Sequence, residues 1–162
     1  MRKIITPLFR IFITILLFSS IVSCAETDKK KSNDTSYLEE ITIAQLQQGY
    51  KEGKFTITKV VTDYLSRIEE IDKNGPKLNA IIAVNPDALK IAEELDKELA
   101  EGKSRGPLHG IPVILKDNID TKDNMPTTAG AVVLKNSFVG KDSWVAAKLR
   151  EAGAIIIAKS NL

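Results

Sequence analysis

The chain has 162 residues, 43% hydrophobic and 27% charged, an ordinary soluble composition with enough apolar residues for one small domain. Three of its 23 basic residues, Arg2, Lys3 and Arg10, stand at the N-terminus. The remainder carries 20 basic against 21 acidic side chains, so no basic field is left to attract nucleic acid. A single cysteine, Cys24, excludes an internal disulfide or a cysteine-rich metal site, and a single histidine, His109, excludes a His-pair zinc motif.

Residues 1–23 read as a secretion signal. Arg2, Lys3 and Arg10 make a positive n-region, and Ile11 to Phe18 an apolar core that continues weakly to Val22. That core is short for a membrane-spanning helix, which needs about 20 apolar residues. Ile21-Val22-Ser23-Cys24 resembles a bacterial lipobox, which implies lipid attachment at Cys24 and a place in the cell envelope, periplasmic or surface-facing. The acyl chains of such proteins anchor firmly, because each buried CH₂ contributes about 0.8 kcal/mol. The alternative is an uncleaved signal anchor with an incidental cysteine. Ala25 follows, so the aspartate associated with inner-membrane retention is absent, and outer-membrane or surface display stays open. Residues 24–36 are polar, lack an apolar period and read as a flexible tether.

Residues 37–162 carry the globular pattern. Thr42 caps a short helix with Ile43, Leu46 and Tyr50 inward, ending near Gly49 or Gly53. A second helix is expected from about Thr58 to Asp72, where Val60, Val61, Tyr64, Leu65, Ile68 and Ile71 make one apolar face. Lys73-Asn74-Gly75-Pro76 ends it. Leu78 to Val84 is the first strand. Asn85-Pro86 opens a third helix, with Ala88, Ile91, Ala92, Leu95 and Leu99 buried and Gly102 past its end. Val113 to Lys116 is the second strand. Residues 117–130 form a long loop, and such loops are more often functional than short ones. Asp142 or Ser143 caps a fourth helix through Glu151, with Val145, Leu149 and Ala152 inward, and Ala154–Ala158 is the third strand. Strand–helix–strand alternation predicts an α/β fold with a largely parallel sheet.

The segment GPLHGIPVILKDN (106–118) is the most informative. It places Lys116 at the end of a buried-type strand and at the mouth of the long loop. An ammonium that loses its hydration there has a lowered pKa, and a neutral lysine can act as a general base. The alternative is a strand-end lysine that snorkels into water. His109 is expected to hydrogen-bond within its turn. Val139-Gly140-Lys141 stands like the end of a phosphate-binding loop. However, Lys135 replaces the first glycine of that motif, and Asp142, in place of Ser or Thr, would repel phosphate.

Three ordered blocks, GIPVILKDN (110–118), PTTAG (126–130) and DSWVAAKLREAGA (142–154), resemble the N-terminal region of the amidase signature family. The resemblance covers roughly residues 40–162 and implies a fold with a mixed, largely parallel sheet flanked by helices, incomplete in this chain. It implies that Lys116 is the base of a Ser–Ser–Lys triad, in which a bridging serine relays the proton from the nucleophilic serine. It also implies that Thr127, Thr128 and Gly130 line the active site, although a hydroxyl-rich turn explains them equally well. Ala131 departs from the serine that many members carry. The family needs no metal or organic cofactor and acts on small-molecule amides.

The two serines belong to a Gly- and Ser-rich segment further along the family's chain. Here Thr127, Thr128, Ser137, Ser143 and Ser160 are the hydroxyls nearest the right elements, and none lies in such a segment. An activated nucleophile needs a base and an oxyanion hole in fixed geometry. The chain therefore reads as the N-terminal part of an exported, lipid-anchored amidase, and 162 residues alone are expected to be inactive. The competing reading is a non-catalytic, lipid-anchored module with a degenerate amidase fold.

Overall fold

The structure is a computed structural model that describes residues 34–162. The expected secretion signal, Cys24 and most of the expected tether lie outside the described residues.

Among the described residues, three strands form one mixed sheet: β1 (Ile81–Val84), β2 (Pro112–Lys116) and β3 (Ile155–Ser160). Their order is β1-β3-β2, with β1 antiparallel and β2 parallel to β3. β3 is central because its Ile155-Ile156-Ile157-Ala158 run is apolar on both faces, and all four residues are buried. Four α-helices of the described residues flank it: α1 (Ile43–Lys51), α2 (Ile57–Arg67), α3 (Ala88–Ala100) and α4 (Trp144–Glu151).

The core divides between the two faces of β3. Leu46, Val60, Val61, Ala92 and Leu95 from α1, α2 and α3 gather with Ile155, Ile157 and Ala158. Leu115, Met125 and Ala146 gather with Ile156. Consecutive residues Ile157 and Ala158 share one cluster because β3 carries an irregularity there. Val113 pairs with Ile156, but Ile114 pairs with Ala158. One extra residue in a strand re-aims the side chains beyond it. Lys159 therefore pairs with Leu115 and turns toward the second cluster.

The helix starts follow their caps. Thr42 and Gln45 form a capping box, with Gln45 N–H donating to the Thr42 hydroxyl and Thr42 N–H donating to the Gln45 side chain at 2.8 Å. Thr56 caps α2 and Ser143 caps α4. Asp96 reaches from α3 to accept from Ile57 N–H at 2.8 Å and Thr58 N–H at 2.9 Å.

Several elements differ from expectation. β1 starts at Ile81 rather than Leu78, because Lys77 and Asn79 adopt positive φ, which ends an extended run. The second helix becomes a π-helical stretch over Ile68–Lys73, which brings Asp72 inward and leaves Ile71 exposed. Asn85 does not cap α3. Its carboxamide is buried, accepts from Asp87 N–H and donates to Ile156 O at 2.8 Å, and the helix begins at Ala88. Ile43 and Val145 are exposed, and Ala146 is the buried residue of α4.

The sheet and the turn before β2 are stitched through two of the sequence blocks. Leu108 N–H donates to Ala152 O, Gly110 N–H to Gly153 O and Ile155 N–H to Ile111 O, each at 2.9 Å. His109 is buried in this turn. Its Nδ1 accepts from Arg105 N–H and its Nε2 contacts Leu95 O, both at 3.1 Å. That is the turn-building role the sequence predicts.

Candidate active site

Lys116 is the last residue of β2 and pairs with Ser160 of β3. Strand alternation sends Leu115 and Asp117 inward, both buried, and Lys116 outward. Ile114 and Lys116 share the outward face of β2, and both are exposed. The desolvation expected of Lys116 is thus not supplied by residues 34–162, and its Nζ has no hydrogen-bond or ion-pair partner among the described residues. The strand delivers the amine as predicted; this part of the chain does not bury it.

The loop after Lys116 is tied tightly on its inner side. Asp117 is fully buried, and its Oδ2 accepts from both the N–H and the hydroxyl of Thr128. Ala129 N–H donates to Asp117 O, and Asp117 N–H to Ser160 O at 3.0 Å. The two ends of the loop are therefore pinned beside Lys116. Met125 and Thr121 fill its interior with no exposure. Ala129 and Gly130 both take positive φ, 48° and 75°, which turns the chain sharply out of the loop.

The three residues expected to line the site play separate parts. Thr128 is buried and serves Asp117. Thr127 is half-buried, and its hydroxyl accepts from Lys159 Nζ at 2.8 Å. Gly130 is exposed. Thr128 and Gly130 border an open groove of ≈ 300 Å³ together with Ile82, Pro126 and Val132.

Sequence reasoning missed Lys159. Its side chain is fully buried, and its Nζ donates to Ile119 O and to the Thr127 hydroxyl, both at 2.8 Å. Burial lowers its pKa below the ordinary 10.5, a shift that the nearby carboxylates of Asp117, Asp120 and Asp123 oppose. No signal in the sequence marks it, because the strand irregularity that turns Lys159 inward shows only in the pairing of β3 with β2.

Also missed was the charge network that explains part of the third sequence block. Arg150 on α4 pairs with Asp142 at 3.0 Å and with Asp123 in the loop. Asp123 also accepts from the Asn85 carboxamide, and Asp142 from Lys122 N–H at 2.8 Å. Burial works against the Asp142 carboxylate, but Lys122 N–H and Arg150 outweigh it and hold its pKa below the usual range. Among the described residues no group of three or more His, Cys, Asp or Glu side chains is placed to hold a metal ion, and no helix is long and apolar enough to cross a membrane.

The sequence profile of the Amidase family matches residues 59–162. An amidase homologue of Schizosaccharomyces pombe is 49% identical over 125 residues, which are 77% of this chain and 21% of that protein. Native peptide amidase from Stenotrophomonas maltophilia superposes with a TM-score of 0.73 at 44% identity, over 76% of this chain and 25% of the enzyme. An amidase family protein of Bacillus anthracis superposes with a TM-score of 0.74 at 38% identity, over 78% and 25% of the two chains. The chain thus spans about a quarter of the proteins it matches. With the lysine-bearing strand, the tied loop and the helix–strand block in that order, the chain belongs to the amidase signature family.

Proposed function

We propose that this chain carries the lysine of a serine-type amidase that hydrolyses carboxamide C–N bonds in small molecules, on a protein exported and lipid-anchored at Cys24. The observation that carries the reading is Lys116 itself. In a member of this family it stands at the end of β2, its amine turned outward beside a loop whose ends are locked by Asp117 and Thr128.

In this reading Lys116 moves the proton. A serine oxygen bonds to the amide carbon, and its proton passes through a bridging serine to the Lys116 amine. The C–N bond then breaks, and the proton returns to the departing amine. Water hydrolyses the resulting ester by the same route. Both serines lie in a Gly- and Ser-rich segment of the kind absent from residues 34–162, and the surface that excludes water from Lys116 comes with them. The leader and the lipobox-like Cys24 support an extracytoplasmic place rather than the cytoplasmic, tRNA-dependent branch of the family.

The test begins with the native protein from its own cells. Its intact mass and N-terminus are expected to show an acylated Cys24 and a mass several times that of residues 24–162. Ammonia release from carboxamides is then expected to fall about 10²–10⁴-fold in Lys116→Ala, the span of general base catalysis. A mass matching residues 24–162 plus lipid, with no lysine-dependent turnover, would favour a non-catalytic surface module and end the amidase reading. An unmodified Cys24 would end the anchoring reading alone.

A further inference from the structure

Lys159 is a lysine with no exposed surface, in a sheet that could have placed an apolar side chain there. Lysine is almost never fully buried unless it is paired. Its ammonium donates to Ile119 O, two residues after Asp117, and to the Thr127 hydroxyl, one residue before Thr128. These two acceptors lie on opposite branches of the 117–130 loop. Asp117 and Thr128 close the same loop at its neck. One cation from β3 thus spans the inside of the loop that begins directly after Lys116.

Charge supports the same arrangement. Asp117 Oδ1 is buried without a hydrogen-bond partner among the described residues, so its negative charge is only partly satisfied by Thr128. The carboxylates of Asp117, Asp120 and Asp123 in the loop act on Lys159 through space and favour its charged form, against burial. A neutral side chain at 159 leaves the Ile119 carbonyl and the Thr127 hydroxyl without their cationic donor, and stranded polar groups are costly in a dry interior.

We propose that Lys159 is a positioning residue: its buried ammonium clamps the two branches of the 117–130 loop and thereby fixes the backbone that presents Lys116. The link to catalysis rests on the amidase reading of Lys116, whereas the clamp does not. The side chain touches neither substrate nor reacting atoms in this role and acts through Ile119 and Thr127.

The experiment is amide hydrogen exchange on this chain, compared for wild type, Lys159→Met, Thr127→Val and Thr127→Ser. Lys159→Met keeps length and removes the charge. Thr127→Val removes only the acceptor, and Thr127→Ser keeps it. In Lys159→Met and Thr127→Val, amides of the loop such as Ile119, Thr127 and Ala129 are expected to exchange about tenfold faster, with α2 and α3 amides unchanged, a local opening rather than a global one. Thr127→Ser should retain the wild-type pattern, and the double variant should add little to either single one. If Lys159→Met does not fold, the threonine pair decides alone. Unchanged loop exchange in Thr127→Val, or an equal rise across α2, α3 and the loop, would overturn the clamp. In the native protein, Lys159→Met should lower kcat and leave KM nearly unchanged. Loss of the exchange effect sinks the clamp, whereas absence of turnover in the wild type sinks only the amidase reading.

Discussion

Gly153 shows how tightly single residues are specified here. It adopts φ +93°, and a Cβ on it would stand 2.6 Å from His109 Cα and 2.9 Å from His109 N. Neither neighbour can yield, since His109 is held at both ring nitrogens. Gly153→Ala therefore combines an unfavourable backbone conformation with a backbone clash and is expected to cost about 2–4 kcal/mol. Chemical denaturation should show a lower midpoint with an unchanged slope; a midpoint equal to wild type would mean that the turn relaxes without penalty. At this scale the sequence spoke clearly about Lys116 and His109, because a lone cation after an apolar run and a histidine between glycines leave few arrangements. Among the described residues Lys116 faces outward and is exposed; the sequence left open whether it is desolvated or reaches water, because a strand pattern gives alternation and says nothing of what covers each face. Nor did it disclose Lys159. An irregularity between Ile156 and Ala158 turns that residue to the Leu115 side, and such a shift leaves no mark in composition or periodicity.

The elements were legible wherever their caps are local. Thr42 with Gln45 and Ser143 before Trp144 are signals within one turn, and both helices start where those residues put them. The sequence marked neither Thr56 nor Asp96 as the start of α2. Its first N–H groups take a carboxylate from α3, in Asp96, which is close in space and far along the chain. A carboxylate at a helix N-terminus satisfies orphan donors and complements the dipole. Asp96→Ala should destabilise the fold by about 1–3 kcal/mol, and Asp96→Asn by less, since one acceptor remains. Thermal unfolding of the two variants checks the order. Equal losses would mean that charge, rather than acceptor geometry, carries the effect. The same distinction explains Asn85. Its place before a proline looks like a cap, yet tertiary packing buries its carboxamide against Ile156 O, and the helix starts later.

At the scale of the molecule, the sheet ends on two edges. β1 and β2 each pair only with β3 among the described residues, so each presents an unpaired row of backbone groups. Large apolar side chains also stand in water: Ile82 and Val84 on β1, Ile114 on β2, and elsewhere Val133 at 89% exposure and Trp144 at 77%. Isolated exposed apolar residues are ordinary, but this many together exceed what a monomeric surface commonly carries. Two open edges and an uncovered apolar surface lower the free energy of any state in which copies cover one another. The described region is therefore expected to self-associate reversibly at micromolar concentration, as species with open edges and bare apolar surface do. Sedimentation velocity over a concentration series should show weight-average mass rising with concentration. Val133→Lys combined with Trp144→Ser should shift it back toward the monomer while moving stability by no more than about 0.5 kcal/mol, the usual span for surface substitutions. If the wild type remains monomeric throughout the series, its exposed apolar side chains are tolerated in water and need no cover. If it associates and the double substitution reverses the association, Val133 and Trp144 belong to a surface that the fold needs covered.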